Sequence, residues 1–183
     1  KLRFSFFDVI FTIINSFAMK KYDIAAIGEL NVDLILNDIE SEPEIGKEKF
    51  AHQMTLTLGS STAIFAANAS AIGSQVCFVG MVGKDSFATI VKDGLTSRNV
   101  STEYLIETDK AATGATICMS YDQDRANLTY QGTMAMMRLQ DINPEVFKES
   151  KHIHLSSVFM QQALMKDLDK ILEIALENDC TTP

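Results

Sequence analysis

Two short stretches hold the residue types from which a ligand site could be made. The first is Gly28-Glu29-Leu30-Asn31-Val32-Asp33, which leaves an apolar run, Tyr22 to Gly28, that reads as a buried strand. Ligands of open α/β sheets bind at the carboxyl ends of such strands. Asn31 and Asp33 are two apart, so in extended chain their side chains face one side. A carboxylate accepts hydrogen bonds and an amide both donates and accepts. That pair suits vicinal hydroxyl groups, and the nearby charge of Glu29 makes a phosphate less welcome there. The second stretch, Gly59-Ser60-Ser61, opens a run of small residues to Ile72 that is compatible with a helix. Small residues at a helix start let a neutral, hydroxylated ligand approach unpaired backbone N–H groups.

Other chemistries find no support. Gly83-Lys84 is followed by Asp85 and has no glycine five residues earlier, so no phosphate-cradling P-loop is present. Neither Gly28 nor Gly59 begins G-x-G-x-x-G, so the dinucleotide fingerprint is absent. His152 and His154 share one side of an apolar strand but lack a third ligand at suitable spacing, and no metal site is expected. Cys77, Cys118 and Cys180 are far apart and form no C-x-x-C, which fits a reducing cytoplasm. A net charge of −8 with no basic cluster beyond Lys20-Lys21 excludes nucleic acid as the expected partner and favours a small molecule. The segment Lys1 to Ala18 has a basic start and an apolar stretch, but Asp8 interrupts it and no A-x-A site follows. It is also short for a membrane span, which needs about 20 apolar residues. It is read as an upstream or non-native segment, with residues 19–183 forming the domain and no membrane contact expected.

The elements that must position the candidates follow from periodicity. Strands are predicted at Tyr22–Gly28, Leu34–Leu36, Phe50–Leu58, Gln75–Val82, Tyr104–Glu107, Thr113–Tyr121, Ala126–Gln131 and His152–Ser157. Gln75–Val82 is almost wholly apolar, the mark of a strand covered on both faces. Met54, Leu56 and Leu58 alternate with Thr55 and Thr57, the mark of a sheet with one wet face. Asp122-Gln123-Asp124 reads as a hairpin turn. Helices are predicted at Ser60–Ile72, at Ser86–Ser97 behind an Asp85 N-cap, in a short piece from Asn143-Pro144-Glu145, and at Gln161–Glu177. The expected fold is α/β: a doubly wound parallel sheet with a small, exposed patch of antiparallel strands, at about 34–58 and 104–131.

From Tyr22 to Pro183 the order of these motifs resembles the N-terminal half of the ribokinase-like (PfkB) carbohydrate kinases. The resemblance rests on G-E-L-N-V-D after the first strand, the Gly59 loop into a small-residue helix, Ile72-Gly73, FVGMVGKDSF, ATGATICMSY, NLTYQG and HIHLSS. It implies a sugar or sugar-like alcohol as substrate, ATP with Mg2+ as donor, and a β-strand lid that closes the site and often pairs subunits as a homodimer. Carried over by position, it implies substrate contacts at Asn31, Asp33, Gly59, Ser60 and Ser61, at Thr113 where the lid begins its return strand, and at Ser156 and Ser157.

Five positions depart from the family pattern. Ser60 replaces the second glycine of the loop and Ile64 replaces an asparagine. Ala88 replaces a glycine, and Gly132-Thr133-Met134 replaces Gly-Ala-Asn. The family's catalytic Gly-Ala-Gly-Asp loop, which lies in its C-terminal half, occurs nowhere in the 183 residues. The chain is therefore expected to be a piece of a longer kinase, without its catalytic base and with most ATP and Mg2+ contacts beyond Pro183. A nucleoside kinase, with Phe65 and Met134, Met136 and Met137 near a base, and a non-catalytic sugar-binding protein remain open readings.

Overall fold

The computed structural model describes residues 20–122 and 124–183. The expected segment 1–18 and the centre of the expected hairpin turn, Gln123, lie outside the described residues. Elements run β1 (Tyr22–Ile27), β2 (Asn31–Ile39), β3 (Ala51–Leu58), α1 (Ser61–Ala71), β4 (Val76–Gly83), α2 (Ser86–Thr96), β5 (Leu105–Thr108), β6 (Gly114–Ser120), β7 (Arg125–Tyr130), α3 (Glu145–Glu149), β8 (Ser150–Leu155) and α4 (Leu168–Glu177).

The strands form two sheets. In the core sheet, ordered β5-β4-β1-β8, every pairing is parallel. Both its faces are covered, which explains the continuous apolar runs. Ala25, Ile27, Cys77, Val79 and Met81 pack with Phe147 and Ile171, on the side of α3 and α4. Ala26, Val76, Phe78 and Val82 pack with Ala63, Ala66, Val91 and Leu95, on the side of α1 and α2. Fully buried side chains such as Phe78 each contribute roughly 1.5–3 kcal/mol through removal from water. Among the described residues, no helix is long and apolar enough to cross a membrane.

The second sheet is ordered β3-β2-β6-β7. It corrects the expected lid in two ways. Leu105–Thr108, expected within the lid, is the edge strand of the core sheet, paired with β4. The lid is also mixed, because β2 and β6 run parallel while β3 and β7 are antiparallel to them. The cause is chain direction: β2 and β6 each follow a parallel core strand, β1 and β5, and leave the core the same way.

Register divides the lid into two unlike faces. Thr57, Asp33, Thr116 and Thr129 align in one row across the four strands, and Thr55, Ile35, Cys118 and Asn127 form the next row on that face. The other face carries Leu56, Leu34, Ile117 and Leu128 in one row and Met54, Leu36, Met119 and Ala126 in another. Near its root the apolar face meets α2, where Phe87, Val32 and Leu34 help line a cavity of about 350 Å³. Farther out, Met54 is 69% exposed and Leu128 64%.

The predicted helix Gln161–Glu177 is shortened to α4. Leu164–Asp167, within that span, forms a 3-10 turn instead, and Val158–Met160 forms another just before it. Tertiary bonds hold this stretch: the Ala163 amide donates to Ala135 O, and Gln161 Nε2 donates to Ser156 O. Beside β8, Thr181 forms a parallel bridge with His152.

Candidate functional site

Asn31 and Asp33 meet where β2 leaves the core. Asn31 Nδ2 donates to Asp33 Oδ1 at 2.8 Å and to Thr116 Oγ1 at 3.1 Å, with the Val32 carbonyl 3.2 Å away. A carboxylate and a main-chain carbonyl only accept, so they fix which end of the amide is nitrogen. Both amide hydrogens are therefore engaged within the protein. What the pair can offer a ligand is Asn31 Oδ1 and the second oxygen of Asp33, both acceptors. Asn31 is thus restricted to accepting, which narrows the donor-and-acceptor role read from its residue type. A partner here must bring hydrogen-bond donors. Burial raises the Asp33 carboxyl above its ordinary range, and the Asn31 hydrogen bond opposes the shift.

Gly59 is required at the back of this pair. A Cβ there would lie 2.4 Å from Asp33 Oδ1 and 2.7 Å from Asn31 Nδ2. Its amide donates to Asn31 O at 2.9 Å, which pins the loop to β2. Ser60 follows at φ 69° and ψ 123°, a left-handed conformation rare outside glycine. Its hydroxyl accepts from Ala63 N–H at 3.0 Å, capping α1, and donates to Glu29 O at 2.8 Å. Ser60 is buried and its side chain serves the fold.

At the head of α1 the structure brings the two stretches of sequence together. Ser61 Oγ pairs with Ser157 Oγ, and Thr62 Oγ1 with Ser156 Oγ at 2.8 Å. Ser157 is held at φ 51°. Thr62 also donates to Glu29 Oε2 at 3.1 Å. Glu29 is buried beside α1, so it does not front the ligand as its sequence position suggested. Burial raises its carboxyl above the ordinary range, against hydrogen bonds from its own backbone, Ser157, Thr62 and Ser60.

Thr113 plays a different part from the expected substrate contact. It is buried, its amide donates to Asp85 Oδ2 at 2.7 Å, and its hydroxyl accepts from Gly83 N–H at 2.9 Å. Asp85 caps α2 as predicted, accepting from Ala88 N–H at 2.9 Å. Burial resists ionisation of Asp85, but the amides of Thr113 and Ala88 outweigh it and its carboxyl falls below the ordinary range. Thr113 and Asp85 therefore brace the root of the lid. Gly83 allows the brace, since a Cβ there would lie 2.7 Å from Ala111 O and 2.8 Å from Thr113 N.

Residues 21–183 match the pfkB family of carbohydrate kinases. The chain belongs to that family. It is 26% identical over 168 residues to the 5-dehydro-2-deoxygluconokinase of Clostridium botulinum, covering 87% of this chain and 47% of that protein. The fructokinase of Xylella fastidiosa superposes with a TM-score of 0.73 at 21% identity, covering 90% of this chain and 50% of the other, a likeness of fold. An uncharacterized sugar kinase from Pyrococcus horikoshii in complex with ATP superposes with a TM-score of 0.68 at 27% identity, covering 81% and 49%. The chain spans about half the length of the curated relatives it matches.

For this pfkB chain the remaining candidates fall into place. Met134 and Met137 are buried and Met137 joins the α3–α4 core, so they are not a base pocket. Phe65 lies flat on His154, with ring centroids 3.7 Å apart and planes 13° apart, which occupies one of its faces. His154 also contacts Ser156 Oγ at 3.1 Å, and burial, with His152 nearby, lowers its pKa. His152 instead bonds Thr181 Oγ1 at 2.8 Å. Ile64 is 49% exposed on the helix face that bears Ser61. A hollow of about 690 Å³ beside Arg138, Lys166 and Lys170 includes none of the candidate residues. Sequence reasoning passed over Thr116, Thr129 and Thr62. Their residue types were visible, but their relation to Asn31 and Glu29 depends on strand register and helix docking.

Proposed function

We propose that the protein of which this chain forms part uses ATP to phosphorylate a hydroxyl of a sugar or sugar-like alcohol. In this reading the chain supplies the hydroxyl-binding face and the lid. The observation that carries it is the Asn31–Asp33 pair: both Asn31 hydrogens are engaged, two acceptors remain, and Gly59 opens the way to the head of α1. Such a face accepts O–H donors and rejects phosphate. Its acceptors bind, orient and hold hydroxyls, while Ser61, Ser156 and Ser157 line the approach from the core side.

The residues in hand do not fit an ATP–Mg2+ site. The sequence has no P-loop and no Gly-Ala-Gly-Asp loop. Among the described residues, no group of three His, Cys, Asp or Glu converges to hold a metal ion. Phosphoryl transfer depends on positioned charge around the phosphate, so the 183-residue chain is expected to bind sugar weakly and not to turn over. The homodimer through the lid belongs to the same reading. Exposed Met54, Leu56, Leu128 and Tyr130 lie together on the apolar face and would be covered by a second copy.

The test is titration of the chain with D-fructose, followed by amide chemical shifts. Shifts should gather at Asn31, Asp33, Gly59 and Ser61, and Asp33→Ala should weaken binding by at least tenfold. Binding that survives Asp33→Ala, or shifts centred elsewhere, would refute the site. ADP release by the chain with ATP and fructose would refute the expected lack of turnover.

A further inference from the structure

The row of side chains that includes Asp33 has a direction. Thr116 Oγ1 accepts a hydrogen from Asn31 Nδ2 at 3.1 Å, and it lies 3.1 Å from Thr129 Oγ1. Among the described residues, these are the bonds that the Thr116 hydroxyl makes. A hydroxyl has one hydrogen to give. Either hydroxyl can donate in that contact; because Thr116 already accepts from Asn31, the direction taken is Thr116 donating to Thr129. The Thr129 hydroxyl then keeps its own hydrogen, for which the described residues supply no acceptor. Thr129 lies on the same lid face as Asp33 and in its register row, two strands away. At about 4.8 Å per strand, the two lie about 10 Å apart.

We infer that Thr129 is a specificity-determining residue, presenting an O–H donor to an oxygen of the ligand that bears no hydrogen. This rests on the proposed sugar-binding role of Asp33 and Asn31 and adds to it. The β2 side of the row offers only acceptors and asks for hydroxyls. The β7 side offers a donor, to which a carboxylate oxygen binds more strongly than a neutral oxygen. An open-chain sugar of about six carbons spans the distance. The row therefore favours sugar acids over the corresponding polyols. Thr116 is the positioning residue between the two ends, since it orients both the Asn31 amide and the Thr129 hydroxyl.

The test compares D-gluconate with D-glucitol, which share their hydroxyl pattern except at the terminal carbon. Dissociation constants are measured by NMR titration of the 183-residue chain. Wild type should prefer gluconate. Thr129→Val, which keeps shape and removes the hydroxyl, should weaken gluconate on the order of tenfold, the loss of one hydrogen bond to a charged group, and change glucitol by less than about twofold. Thr129→Ser should restore the preference. Thr116→Val should weaken both ligands, because it releases Asn31. Equal effects of Thr129→Val on both ligands, or no preference in wild type, would overturn the inference while leaving the Asp33 site standing. If wild type binds neither probe, the sugar-binding reading falls and this one with it. A readout without ligand checks the direction itself: the Thr116 hydroxyl proton should exchange slowly and show a cross-peak to Thr129. A rapidly exchanging Thr116 hydroxyl would overturn the chain of donors.

Discussion

Ser60 offers a quantitative trial of how the Gly59 loop is held. At φ 69° and ψ 123° it occupies a conformation that costs a non-glycine residue about 1–3 kcal/mol. Against this, its hydroxyl caps α1, worth about 1 kcal/mol, and bonds Glu29 O, worth about 1 kcal/mol more. Ser60→Ala removes both bonds and keeps the strain, so it should lose about 2 kcal/mol. Ser60→Gly also loses the Glu29 bond, but glycine at an N-cap costs only a few tenths of a kcal/mol. It gives up about 0.5–1 kcal/mol to the freer unfolded chain and regains about 1–3 kcal/mol of strain. Glycine should therefore lie within about 1 kcal/mol of wild type and roughly 2 kcal/mol above alanine. At an N-cap with ordinary backbone, glycine leads alanine by less than about 1 kcal/mol, so the larger gap reports the strain. Urea unfolding of the three proteins measures it: with a slope of roughly 2 kcal/mol per molar, glycine and alanine should differ by about 1 M in midpoint. Alanine at or above glycine would show that Ser60 is unstrained and would refute the reasoning.

Glu29 predicts a pH effect. Its carboxyl is raised by burial, so the native state holds its proton more tightly than the unfolded chain. That stabilisation is present at low pH and is lost as pH rises from the ordinary Glu value through the raised one. Glu29→Gln, which still accepts from Thr62, should therefore be at least as stable as wild type at pH 7, with the advantage shrinking toward pH 4 in thermal melts. Gly59→Ala should abolish fructose binding while the chain stays folded by circular dichroism, because the new methyl displaces the Asp33 carboxylate. Ligand binding should also fade on acidification at a pH above that of an ordinary aspartate, since a protonated Asp33 loses an acceptor; a flat titration profile from pH 7 to 4 would count against it. Leu56→Asp with Leu128→Asp should convert a dimer to a monomer in light scattering, and a monomeric wild type would dismiss the lid interface.

Much of this protein was legible in its sequence because the information was local. The apolar run at 76–83 marks a strand covered on both faces, and the structure packs both of them. Asp85 sits one residue before a helix, and it caps that helix. Asn31 and Asp33 share a side because side chains alternate along any strand, whatever it pairs with.

What sequence could not supply was register and docking. Leu105–Thr108 looked like part of the lid because a short strand-like run does not say which sheet it joins. Thr113 looked like a ligand contact until tertiary folding placed Asp85 and Gly83 on its amide and hydroxyl. Glu29 read as a charge near the ligand, but tertiary folding buries it beside α1. The contacts from Asn31 to Thr116 and from Thr116 to Thr129 join residues of three strands, and only the pairing register brings these side chains together. Alternation and capping are properties of a few consecutive residues, so sequence determined them. Pairing register and helix packing balance contacts among distant residues, so only the tertiary structure decided them.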